Sequence, residues 1–185
     1  VTVVSPQHRP GLADEKGAFE AALRSPIGAP PLREWLRPGA RVCISFSDIT
    51  RATPNERIIP WLLEHLQDVP PEHITLLNQL GTHRPNTPEE LARLLTPEVM
   101  RRYRVLNHEP ENPAAHRQFG VMKDGTPALI NRHFTDADVR IVTGFIEPHF
   151  FAGFSGGPKG IIPGVAALES VMSNHGAAHI ADPQA

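Results

Sequence analysis

A chain of 185 residues, with 40% hydrophobic and 21% charged side chains, is long enough to bury a core and too apolar to stay disordered. Eighteen basic side chains against twenty acidic ones give a formal charge of −2, which supplies no footprint for nucleic acid or for an anionic membrane, so small molecules and proteins are the expected partners. One cysteine excludes an internal disulfide, no apolar run approaches the ~18 residues of a membrane span, and no secretory signal opens the chain; a cytoplasmic setting is expected.

After a short valine-rich start, Asp14 to Arg24 reads as a helix and the proline-rich stretch Ser25 to Leu32 as a connector. Arg41 to Ser47 reads as a buried strand, with Cys43 as a structural thiol. Thr53 before Pro54 predicts an N-cap and a proline at the first helical position, opening a helix towards Gln67. Its buried stripe is Ile58, Ile59, Leu62, Leu63 and Leu66, and Pro60 kinks it.

His73 to Leu80 is the next strand, and Thr87 with Glu90 forms a capping box for a helix through Leu95. Tyr103 to Asn107 reads as another strand, and Asp124-Gly125 closes a hairpin between Phe119–Lys123 and Pro127–Asn131. A strand at Val139 to Thr143 and a helix from about Pro163 to Asn174 complete the pattern. The expected architecture over residues 1–185 is α/β: a Rossmann-like layered domain, its sheet mostly parallel and mixed by the hairpin, with helices on both faces.

Chemistry concentrates beyond the strand ends, where open α/β sheets hold ligands. The loop Gly144 to Gly164 places His149 and Lys159 among Gly153, Gly156, Gly157 and Gly160, whose lack of Cβ suits close approach to an anion. Phe145, Phe150, Phe151 and Phe154 would wall it, and an apolar wall lowers a lysine pKa. A plain structural loop with a surface lysine is the competing reading.

Two other junctions converge with it: Asp48-Ile-Thr-Arg51 and Gly81-Thr-His83-Arg84. His83 and His149 can act as general acid and base near neutral pH, and two opposed bases suit inversion of a stereocentre. Arg51 offers a fork for a carboxylate, while Asp48 can accept from a ribose hydroxyl or orient a base. His175 closes the last helix where it can turn back towards the loop, and a metal there needs further ligands from a cofactor. The remaining histidines, His8, His65, His73, His108, His116, His133 and His179, read as surface or structural groups.

These motifs, with Pro26 to Leu32, Glu147-Pro-His149-Phe-Phe-Ala-Gly153, Ser155-Gly-Gly-Pro-Lys159-Gly160 and Asn174-His175-Gly176, resemble the N-terminal domain of the nickel-dependent lactate racemase family. The resemblance implies racemisation or epimerisation of a 2-hydroxy acid by reversible hydride transfer. Its cofactor would be a nickel-pincer nucleotide, pyridinium-3,5-bisthiocarboxylic acid mononucleotide, joined covalently to Lys159 and loaded by cofactor-synthesis proteins. It further implies His175 as nickel ligand, His83 and His149 as the acid/base pair, and Asp48, Arg51, Gly153, Ser155, Gly156 and Gly157 around the cofactor. Ala52 departs from the family's usual Thr-Arg-Pro-Thr-Pro run. Family members continue into a second domain that closes the cleft, so 185 residues alone are expected to be weakly active or inactive. A non-catalytic nucleotide-binding module stays open as the alternative; phosphoryl transfer ranks last, for want of GxxxxGK[ST] and a magnesium carboxylate pair.

Overall fold

The computed structural model describes residues 2–3, 5, 7–149, 153–177 and 181. They fall into two compact units, Val1–Trp35 and Leu36–Ala185. The first holds α1 (Glu15–Arg24), begun where Asp14 Oδ1 accepts from the Gly17 amide at 2.8 Å, followed by a 3₁₀ turn at Leu32–Trp35.

The second unit is built on β1 (Val42–Ser47), β2 (Ile74–Gln79), β3 (Arg104–Asn107) and β6 (Val139–Val142), all parallel in the order β3-β2-β1-β6. Every residue of β1 is buried, as a strand covered on both faces requires. One face, with Cys43 and Leu77, packs against Ile130, Phe134, Val165 and Val171. The other carries Val42, Ile44, Phe46 and Leu76, and α2 (Asn55–His65) and α3 (Pro88–Leu95) add Ile59, Leu62, Leu63, Leu91, Leu94 and Leu95 to the buried apolar set. Burial pushes the Cys43 thiol up to about 12, the mark of an inert structural cysteine.

The hairpin expected at Asp124-Gly125 forms from β4 (His116–Val121) and β5 (Pro127–Asn131), but as its own two-stranded sheet, so the central sheet is wholly parallel. The Thr53 side chain caps nothing: its hydroxyl meets that of Ser47 at 2.5 Å, while its carbonyl accepts from the Asn55 amide and the Pro54 carbonyl accepts from those of Arg57 and Ile58. Ile58 is only half-buried, whereas Ile59, Leu62, Leu63 and Leu66 form the stripe. The capping box of α3 is present as read.

α4 (Pro97–Arg102) and α5 (Arg132–Thr135) escaped the sequence reading, being short. The last helix, α6 (Leu168–His175), starts five residues later than expected. Strand-like bonds use the preceding backbone instead: the Val165 carbonyl accepts from Asn131 and the Ala167 amide donates to Leu129, both at 2.9 Å. His108 locks this seam, with Nε2 2.9 Å from the Ala166 carbonyl and Nδ1 3.1 Å from the Asn131 amide nitrogen. No helix among the described residues is long and apolar enough to cross a membrane.

Candidate active site

The sheet order reverses direction beside β1: β2 and β3 lie on one side and β6 on the other. Loops leaving the carboxyl ends of β1 and β6 therefore part at a topological switch point, where a crevice opens. A cleft of about 380 Å³ occupies it, lined by Asp48, Arg51, His83, His149, Lys159 and His175 among others. These six polar residues, drawn from three sequence junctions and one helix end, thus meet in one place, whereas Arg84 stays outside it.

Asp48 and His83 form a pair. Asp48 is 2% exposed, its Oδ2 lies 2.8 Å from His83 Nδ1, and its Oδ1 accepts from the Thr50 hydroxyl at 2.8 Å. A carboxylate only accepts, so Nδ1 carries the proton and Nε2 holds the lone pair of the neutral ring. Asp48 thus fixes the orientation of the His83 ring.

Across the cleft, the Arg51 guanidinium donates to Glu147 Oε1 at 3.2 Å, both side chains being partly exposed. Lys159 is half-buried, and that burial, followed by the charge of Arg51, holds its amine below the ordinary lysine value against the opposing pull of Glu147. His149 also lies below its ordinary pKa, through desolvation first and then the charges of Lys159 and Arg51. Both groups are thereby biased towards their neutral, electron-pair-bearing forms.

The loop that carries them is braced internally. The Ser155 hydroxyl donates to the Phe145 carbonyl at 2.6 Å and accepts from the Glu147 amide at 3.1 Å, so it serves first as a brace although Ser155 also lines the cleft. β7 (Pro148–His149) pairs with β8 (Gly153–Phe154), setting His149 opposite Gly153. Lys159 sits in a 3₁₀ turn, Gly157–Gly160, and its own amide is bonded to the Gly156 carbonyl at 3.1 Å, so part of the expected anion nest closes on itself. Gly156 has φ 73°, and a Cβ there would lie 3.1 Å from Ile146 Cγ1.

Gly153 and Gly157 do not line the cleft. Phe145 does, whereas Phe154 is 64% exposed and forms no wall; Phe150, Phe151 and His179 lie outside the described residues. His175 reaches the cleft at the end of α6, with Nδ1 2.6 Å from Asn174 Oδ1. Glu147 and Gln79 were missed from sequence. Gln79 lines the cleft and ties two strand ends together by donating to the Thr143 carbonyl at 2.9 Å. The signal for Glu147 was only its place two residues before His149, because its partner Arg51 is 96 residues away.

Fold and site together define an α/β domain with a cleft at its switch point lined by histidines, a lysine, an arginine and an aspartate. The family model for the lactate racemase N-terminal domain matches residues 1–185, and the chain belongs to that family. It is 37% identical to the lactate racemase of Lactiplantibacillus plantarum over 172 residues, covering 92% of this chain and 41% of the relative. The apoprotein structure of lactate racemase from Thermoanaerobacterium thermosaccharolyticum superposes with TM-score 0.84 at 31% identity, over 91% of this chain and 40% of that one. A Thermotoga maritima protein follows with TM-score 0.72 and 29% identity, over 89% and 41% of the two chains. The chain thus spans about two-fifths of the length of these relatives.

Proposed function

We propose that the protein racemises or epimerises a lactate-like 2-hydroxy acid, with a nickel-pincer nucleotide attached to Lys159. The observation that carries this reading is the meeting, in one cleft of a lactate racemase-family domain, of three imidazoles, a guanidinium and an amine held below its ordinary pKa.

The residues present fit such a group. The half-buried Lys159 amine is biased towards the nucleophilic form that covalent attachment requires, and His175 offers one imidazole donor. Among the described residues no set of three or more His, Cys, Asp or Glu side chains is placed to hold a metal, so a nickel ion here would draw its other ligands from the organic group. When bound, that group supplies a reversible acceptor for the substrate α-hydrogen as hydride.

The protein's own part is binding and proton transfer. His83 takes the substrate hydroxyl proton at Nε2 while Asp48 holds the ring and stabilises the imidazolium that results. His149 plays the same role for the opposite enantiomer, and Arg51 pairs with a carboxylate or phosphate. Cofactor-synthesis proteins load Lys159.

The test is to incubate one enantiomer of α-deuterated lactate with protein produced alongside the cofactor-synthesis enzymes, then analyse products by chiral chromatography and mass spectrometry. Whatever opposite enantiomer forms is expected to keep its deuterium, turnover by these 185 residues alone being weak. His83→Gln should lower kcat by about 100-fold or more with nickel content unchanged. Loss of the label to solvent would overturn the hydride reading; no turnover with an unmodified Lys159 would favour a non-catalytic nucleotide-binding module.

A further inference from the structure

A second cleft, of about 390 Å³, opens at the amino ends of the strands, on the opposite edge of the sheet from the first. Arg41 stands before β1, His73 before β2, Arg104 begins β3, and α5 with its C-cap supplies Arg132, His133 and Asp136. No residue lines both clefts. The length of β1 separates them, roughly 16 Å at ~3.3 Å per residue.

Positive charge here exceeds what the protein neutralises. Asp136 is shared between Arg117 at 3.2 Å and Arg132 at 3.9 Å, and Asp138 takes Arg41 at 3.5 Å. The Arg104 guanidinium makes no hydrogen bond or ion pair with any described residue, although its backbone pairs with β2, and the other carboxylate on the wall, Glu72, pairs with none of the arginines. His133 is held below its ordinary pKa by burial first; the charge of Arg104 and then of Arg132 add to the lowering, and Asp136 opposes it. His73 Nδ1 is buried on the wall with no hydrogen-bond partner among the described residues.

We propose that this cleft binds a small phosphate-bearing anion. Its volume is that of a small-molecule site, and guanidinium forks match the oxygen geometry of phosphate. A phosphate dianion has acceptors enough for several forks at once, so it can engage Arg104 together with Arg41 or Arg132. The site is independent of the racemase reading, because neither Lys159 nor either acid/base histidine takes part in it.

Titration calorimetry of pyrophosphate, and separately of malonate, into the protein at low ionic strength tests the proposal. Saturable pyrophosphate binding is expected, weakening with added salt, with malonate at least about tenfold weaker. Arg104→Gln and, independently, Arg132→Gln should each weaken pyrophosphate by about tenfold, with Tm in anion-free buffer within ~2 °C of the parent. Lys159→Ala, in the other cleft, should leave binding intact. The proposal is overturned by an absence of saturable binding, by malonate binding as tightly as pyrophosphate, by binding that survives both arginine variants, or by binding lost with Lys159→Ala.

Discussion

His149 and Lys159 sit in a small field made by their neighbours: Arg51 and Lys159 repel a proton from His149, and Glu147 attracts one. Removing a positive neighbour must therefore raise the His149 titration midpoint, and removing the negative one must lower it. Imidazole NMR titration should show an upward move in Lys159→Ala and a downward move in Glu147→Gln; coincident curves for parent and variants would refute the electrostatic account. Most of this site was legible because histidine, arginine and lysine stood at strand ends beside glycines. Glu147 was not, since an ion pair between loops distant in sequence leaves no local pattern. Thr53 was misread for the related reason that a tertiary partner, the Ser47 hydroxyl, outcompeted the local cap.

The element that positions Lys159 and His175 is the segment from 157 to 175, and His108 fastens its middle to β5. Burial lowers His108 to about 4 against an unfolded value near 6.5, so below pH 6.5 the unfolded chain binds more protons. Stability contributed by the neutral ring is complete above that pH and is lost as pH falls towards 4, by on the order of 3 kcal/mol. Urea midpoints measured from pH 7 to 4.5 should decline more steeply in the parent than in His108→Gln; parallel declines would show that His108 is not the titrating group. The early onset read for α6 failed here, because apolar residues at 161–166 look the same whether they continue a helix or, as found, seal β5 through backbone bonds. Where a cap was self-contained, as with Thr87 and Glu90, sequence and structure agree.

At the scale of the whole molecule, the α/β class followed from the alternation of apolar strands and amphipathic helices, which is a local property. The separate hairpin sheet did not, because local pattern shows that β4 and β5 pair with each other but not whether they join β6 or β3. The strand order does the functional work: placing β6 beside β1 creates the switch point into which three loops and the end of α6 turn their polar side chains. The account's central claim is that this crevice holds a nickel-bearing nucleotide on Lys159. Intact-mass and metal analysis of the protein made together with the cofactor-synthesis enzymes tests that most directly, with a lactate racemase relative loaded in parallel as control. The account predicts a single adduct on the Lys159 peptide with stoichiometric nickel, both absent from Lys159→Ala; an unmodified, nickel-free parent beside a fully loaded control would contradict it.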